Sequence, residues 1–291
     1  MNFKSGFVAI IGKPNAGKST LLNALIGEKI SIITSKAQTT RHRIKGILTS
    51  TDYQIVFSDT PGVIDPVYEL HKSMMKAVDD SKEDADVLVY LVDASKPASE
   101  IEDLVKLSST SEIPVIVAIN KCDVISNEEM EKVSAEAKRI FGVEEVIAVS
   151  SLQKTNLEEL LKTIVNKLPE QQAFFGADEL TDKSERFLVA EMVREKIFEQ
   201  FHQEIPYSTE VIIQDWKDEP DITKIRADII VERESQKAIL LGKNGSSIKQ
   251  LGIESRKSIE EFLNKKIFIG LTIKVNPDWR KDPNKLKYFG Y

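Results

Sequence analysis

Cysteine, histidine and long apolar runs are all scarce in this chain of 291 residues. The one cysteine, Cys122, excludes an internal disulfide and makes a reducing cytoplasm the natural compartment. With three histidines beside it, a clustered Cys/His centre has little to draw on. No apolar run approaches the ~18 residues that a membrane-crossing helix needs. A cleaved leader is not expected either, because the first apolar run, Phe7–Ile11, is short and leads straight into a glycine-rich loop. Charge is modest overall, at −6, which by itself argues against a nucleic-acid partner. Its distribution argues the other way. Residues 231–291 carry 13 Lys and Arg against 7 Asp and Glu, whereas residues 1–230 carry 27 against 39. A basic end on an acidic chain fits either a polyanion partner for that end or a solvated charged surface.

What is present is more decisive. A hydrophobic content of 41% suffices for ordinary cores, and the length suggests two domains of ~100–200 residues each. Short apolar runs at Phe7–Ile11, Ile55–Ser58, Val87–Val92, Val115–Ile119 and Val146–Val149 alternate with helical patterns. That order predicts an α/β, doubly wound, mostly parallel sheet, with ligands at the carboxyl ends of the strands.

The functional signals fall at those ends. Gly12-Lys13-Pro14-Asn15-Ala16-Gly17-Lys18-Ser19 follows the first run and fits G-x-x-x-x-G-K-[ST]. The helical pattern that follows, Thr20–Ile26, closes at Gly27. A glycine-rich loop turns backbone N–H groups onto an anion, and the helix N-terminus adds positive dipole. Lys18 can bridge β- and γ-phosphates and the Ser19 hydroxyl can bind Mg²⁺. After the second run comes Asp59-Thr60-Pro61-Gly62. Asp59 suits a water ligand of Mg²⁺, and Gly62 lets an N–H approach the γ-phosphate. After the fourth comes Asn120-Lys121-Cys122-Asp123. Here the chain resembles GTPases, whose N-K-x-D motif reads guanine. Asp123 can accept from N1–H and the 2-amino group, a donor pair that adenine lacks. Lys121 would lie along the base, and Asn120 would tie this loop to the phosphate loop.

That resemblance implies more. Ser150-Ser151 stands where GTPases carry Ser-Ala, whose backbone N–H meets guanine O6; Ser151 replaces the usual Ala. Nucleotide contacts are thereby assigned to residues 12–20, 59–63, Asn120, Lys121, Asp123, Ser150 and Ser151, for GTP or GDP with Mg²⁺ on Ser19, Asp59 and a switch threonine. Ser35–Arg43 matches the switch region, with either Thr39 or Thr40 closing on Mg²⁺ and the γ-phosphate. Lys18, Thr39, Thr40 and Gly62 are the expected catalytic set. Many GTPases carry Gln after D-x-x-G; here Val63 stands there, so intrinsic hydrolysis should be slow or use another device. G-x-P-N-x-G-K-S resembles the TrmE–Era group, some members of which hold K⁺ through this Asn. Asn15 is therefore either a K⁺ ligand or a loop-shaping residue.

The first domain is expected over residues 1–169, ending in the helix Leu157–Leu168 and Pro169, with a linker over 170–182 and a second domain over 183–291. There a helix at Glu185–His202, strands near Glu210–Trp216 and Lys224–Val231, a short helix, Gly242-Lys243-Asn244-Gly245, a long helix Ser246–Leu263 and a strand Ile267–Val275 follow in order. This order resembles an α+β type II KH domain, whose G-x-x-G loop clamps single-stranded nucleic acid. Gly242, Lys243, Asn244, Gly245, Ser246 and Lys249 are the expected RNA contacts. Trp279 and the tail Lys285–Tyr291 suit either base stacking or, by preference, pinning of the terminus.

Taken whole, the chain resembles the Era family of bacterial ribosome-assembly GTPases. Similar stretches are Ala37–Arg43, Arg194-Glu195-Lys196, Val231-Glu232-Arg233-Glu234 and the GKNG helix pair; Ser151 and Ile253-Glu254-Ser255-Arg256 depart from the pattern. The resemblance implies a GTP switch, ordered at Gln38–Arg43 by the γ-phosphate, that binds the 3′ end of 16S ribosomal RNA and acts on the pre-30S subunit. It also implies a mostly monomeric cytoplasmic protein with a peripheral fraction on the cytoplasmic membrane face. The rival classes are a metabolic or tRNA-modifying P-loop enzyme and a GTPase whose second domain docks protein. Binding of RNA by the part from Leu180 onward, compared with Gly242→Asp, separates them.

Overall fold

Along strand β1, Lys4–Ile11, the side chains divide by parity: Val8 and Ile10 enter one buried cluster, Ala9 and Ile11 another. A strand covered on both faces needs no polar side, which is why the run reads as continuously apolar. The computed structural model describes residues 3–105 and 113–291. These divide into two units, the second formed by Ile32–Thr39, Val67–Ser73 and Lys183–Tyr291 and the first by the rest.

In the first unit β1 is followed by α1 (Lys18–Ile26), β2 (Ile44–Thr49), β3 (Tyr53–Asp59), α2 (Glu69–Glu83, its first turns counted with the second unit) and β4 (Val87–Asp93). Then come α3 (Ala98–Val105), β5 (Val115–Asn120), α4 (Asn127–Phe141), β6 (Ile147–Ala148) and α5 (Leu157–Lys167). The six strands lie in the order β2-β3-β1-β4-β5-β6. All pairs are parallel except β2 with β3. Register sets Ile10 beside Asp59 and Asp93 beside Asn120, so the carboxyl ends of four central strands share one edge.

Two features differ from the sequence reading. Strand β2 was not expected: Gly46 interrupts its apolar run, and its hairpin with β3 turns through Ser50–Asp52. The stretch 170–182, expected as a linker, belongs to the first unit. The Gln171 N–H donates to Phe3 O, Ile47 N–H to Leu180 O, and Gln54 holds Phe174 and Phe175 by their backbone. Spare backbone groups at the start of β1 and along edge strand β2 find partners in it.

The second unit contains α6 (Glu185–Gln200), β7 (Glu210–Asp218), β8 (Thr223–Val231), α7 (Glu234–Leu241), α8 (Ser246–Leu263), β9 (Ile267–Val275) and α9 (Pro283–Tyr288). Its sheet runs β7-β8-β9, with β7 antiparallel and β9 parallel to β8. Val193 and Ile197 of α6, Leu251 and Ile259 of α8 and alternate residues of β8 fill the core. The terminus is pinned. Trp279 is fully buried, donates its indole N–H to Ser208 O at 3.0 Å and meets Phe289 and Tyr291. Truncating such a buried indole costs about 3–5 kcal/mol. Among the described residues no helix is long and apolar enough to cross a membrane.

Candidate nucleotide site and nucleic-acid surface

The phosphate loop leaves β1 at Ile11 and enters α1 at Lys18. Gly17 stands at φ +96°, and a Cβ there would meet Asn120 Nδ2 at 2.3 Å, so glycine is required both for the turn and for the close approach. No side chain caps α1, which leaves its first N–H groups to an anion. The buried Lys18 ammonium donates to Gly12 O at 3.0 Å and Lys13 O at 3.1 Å. Burial pulls its pKa down to about 8, with Asp59 raising it in part.

Ser19, Thr40 and Asp59 come together at the loop's exit. Asp59 Oδ2 accepts from the Ser19 hydroxyl at 2.7 Å and from Thr40 at 3.5 Å, and the two hydroxyls lie 2.8 Å apart. Asp59 is completely buried, and its Oδ1 has no hydrogen-bond partner among the described residues. Burial pushes its carboxyl up, while Ser19, Lys18, Ser31 and Thr40 pull the other way. A buried carboxylate oxygen without a donor, beside two hydroxyls, fits a hard divalent cation.

The structure separates the two threonines that the sequence leaves equivalent. The Thr39 hydroxyl pairs with Thr34 at 2.6 Å and donates to Lys36 O at 2.7 Å, within the second unit. Only Thr40 shares the Ser19–Asp59 group. Sequence reading missed Ser31, whose hydroxyl donates to Asp59 Oδ2 at 2.7 Å; a serine in a polar loop carries no motif. Thr60 donates to Ile10 O at 2.8 Å, and the Val63 N–H to Gly12 O at 3.2 Å. Val63 itself is buried in the apolar cluster with Ile11 and Val78, so its side chain is core. Asn15 is exposed in the phosphate loop at φ 64°.

At the β5 exit, Asn120 Nδ2 donates to Ala16 O at 2.8 Å, joining this loop to the phosphate loop. Lys121 Nζ pairs with Asp93 Oδ2 at 2.6 Å, and Asp123 is exposed. The sequence reading gives the Ser151 N–H to guanine O6. Here that N–H and the Ser151 hydroxyl both donate to Asn120 Oδ1 at 2.9 Å. A buried amide oxygen needs donors, and the hydroxyl that replaces the usual Ala supplies a second one. Ser150 is fully buried, and its hydroxyl accepts from Gln153 N–H at 3.0 Å.

In the second unit Gly242-Lys243-Asn244-Gly245 joins α7 to α8. Gly242 stands at φ +69°, and a Cβ there would meet Ser247 Oγ at 2.1 Å. Lys243, Asn244, Ser246 and Lys249 are exposed, and no side chain caps α8. Beside this loop lies a groove of about 350 Å³ between α8 and β9. Ile248, Gly252, Ile253 and Arg256 line it from the helix, and Phe268, Ile269 and Leu271 from the strand. Phe268 is 55% exposed and Ile253 45%. Sequence reading missed these residues because apolar side chains at helix and strand spacing read as core. Only the outward parity of Phe268, against buried Ile267 and Ile273, signals it.

A P-loop GTPase domain followed by a KH domain is thus the class that fold and motifs define. Comparison with known proteins agrees. The 50S ribosome-binding GTPase family matches residues 7–121, and the KH domain family residues 204–280. GTPase Era of Geotalea daltonii is 43% identical over 99% of this chain and 98% of its own length. Two solved structures cover 99% of both chains at 39% identity. One is a variant of Era from Aquifex aeolicus bound to GDP and AlF4⁻ (TM-score 0.95), and the other is Era in complex with MgGDPNP and nucleotides 1506–1542 of 16S ribosomal RNA (TM-score 0.93). The chain belongs to the Era family of GTPases.

Proposed function

We propose that this protein binds GTP with Mg²⁺, hydrolyses it to GDP and phosphate, and uses that cycle to regulate binding to the 3′ region of 16S ribosomal RNA during 30S subunit assembly. The observation that carries the nucleotide half is the convergence of Ser19, Thr40 and Asp59 beside Lys18, at the exit of the glycine-rich loop. The RNA half rests on the full-length relationship to an Era that was solved with such an RNA. The broad GTPase family carries a 50S name, but its match stops at residue 121, so it does not bear on which subunit is bound.

In this reading the loop amides and Lys18 hold the phosphates and stabilise charge as it develops on them. Ser19 and Thr40 would hold the Mg²⁺ through their hydroxyls and Asp59 through a water, and the ion would neutralise charge on the β- and γ-phosphates. Thr40 is the switch threonine, and Thr39 serves the turn beside it. Asp123 accepts from guanine, and Asn120 braces its loop from the phosphate loop. Val63 orients no water, so the unassisted rate is slow. Asn15 is assigned a K⁺ ion; equal rates in K⁺ and Na⁺ buffers would leave it a loop-shaping residue. The exposed Gly242–Gly245 loop clamps the RNA backbone, and bases lie along the groove to Phe268.

A peripheral membrane fraction and a monomeric state enter from the family resemblance; vesicle flotation and sedimentation measure them. The test of the whole is RNA affinity measured with GDPNP and with GDP, beside phosphate release. Different affinities and measurable release are expected. Identical affinities would remove the switch.

A further inference from the structure

Asp93 closes strand β4, and the parallel register with β5 sets it directly beside Asn120. The next residue, Lys121, turns left-handed at φ 65°, a conformation that a residue with a Cβ keeps only when its surroundings hold it. The holding groups are visible. Ala94 N–H donates to Asn120 O at 2.9 Å on one side, and Cys122 N–H to Val149 O at 3.2 Å on the other. Between them the Lys121 ammonium meets Asp93 Oδ2 at 2.6 Å.

The carboxylate is itself fixed. Its Oδ1 accepts the Ser95 N–H at 3.0 Å and the Ser95 hydroxyl at 2.7 Å, which leaves Oδ2 for Lys121. Its side chain is 3% exposed against 34% for Lys121, so the acid is the buried anchor and the lysine the partner that reaches outward. Burial alone would raise the Asp93 carboxyl, but Lys121 and the two Ser95 donors outweigh it and hold it below the usual carboxylate range. It is therefore charged whenever the protein is near neutral pH.

We propose that Asp93 is a positioning residue for guanine-nucleotide binding: it fixes the Lys121 side chain in place before the base arrives, acting through Lys121 without touching the nucleotide. The inference rests on reading Asn120–Asp123 as the base-reading loop. A free lysine side chain samples many rotamers, and ordering it on binding weakens affinity; an anchored one has already lost that freedom. The gain is equal for ground state and transition state, so it enters KM and leaves kcat alone. A merely structural ion pair between strand ends would lower the melting temperature with no effect on affinity.

The experiment uses the full chain, with GDP and GDPNP titrated calorimetrically and GTP turnover measured at saturation. Asp93→Asn should raise both Kd values about fivefold with kcat unchanged. Lys121→Met should raise them at least as far, and the double variant no further, because Asp93 acts through Lys121. Wild-type affinity in a folded Asp93→Asn protein, or a double variant whose loss is the product of the single losses, overturns the proposal. If Asp93→Asn does not fold, Ser95→Ala, which removes the hydroxyl donor to Oδ1 and leaves only the backbone N–H there, should raise Kd about twofold with kcat again unchanged; no rise overturns it equally. Wild-type protein that binds no GDP would be a different result, and would remove the base-reading loop itself.

Discussion

The two binding regions of this molecule are built on opposite plans. The candidate nucleotide site has a buried polar floor: Lys18, Thr40, Asp59, Asn120 and Ser151 are each at most 7% exposed and bound to one another or to backbone. The surface proposed for nucleic acid is open and partly apolar, with Phe268 and Ile253 presented to solvent beside exposed Lys243, Lys249 and Arg256. A small ligand with fixed hydrogen-bonding edges rewards a rigid polar cradle, in which one lost partner leaves a buried group unsatisfied. A flexible single strand rewards stacking faces and mobile cations, in which each contact adds a modest increment. Losses should accordingly be steep in the first region and graded in the second.

The steepest should be Lys18→Ala. Removing the one ammonium in the amide cradle should cost at least about 100-fold in nucleotide affinity or turnover, measured by calorimetry and phosphate release. Asp123→Asn should follow, with a loss of about 100-fold for GTP and a preference shifted to xanthosine triphosphate. Retained GTP preference would take Asp123 out of the base-reading role. Phe268→Ala should cost about tenfold in RNA affinity, the loss of one stacked base, read by fluorescence anisotropy. If nucleotide affinity fell as far, the division between the regions would be broken.

The mildest is a matter of protons. Lys18 sits at about 8 in the free protein, and bound phosphates raise it again. Its lowered pKa leaves it half neutral at pH 8 and mostly neutral above, so GDP binding there takes up a proton and affinity falls as pH rises. Calorimetry in buffers of different ionisation enthalpy should show uptake of about half a proton at pH 8 and close to none at pH 7. Equal uptake at both would place the titrating group elsewhere.

The same contrast explains what could be read in advance. Gly12–Ser19, Asp59–Gly62 and Asn120–Asp123 stand out in the sequence because each packs its candidate chemistry into one strand exit, where spacing along the chain is spacing in space. Ser31 and Asp93 do not, because each reaches its partner from a different loop or strand end. The proposed choice of Thr40 over Thr39 rests on side-chain direction, which two adjacent identical residues cannot encode. The groove escaped because Ile248, Ile253 and Ile269 have the periodicity of core residues; Ile248 and Ile269 are half-buried against that core, and only Ile253 of the three is exposed. Nor could the sequence assign Ile32–Thr39 and Val67–Ser73 to the second unit, since unit membership follows tertiary contacts rather than chain order.

The division of labour is tested most directly by photo-crosslinking the intact GDPNP-loaded protein to an RNA with the 3′-terminal sequence of 16S ribosomal RNA, and mapping the joined peptides by mass spectrometry. Crosslinks should fall on peptides carrying Lys243–Lys249 and Phe268. Crosslinks confined to the residues of the first unit, or none at all, would contradict the account.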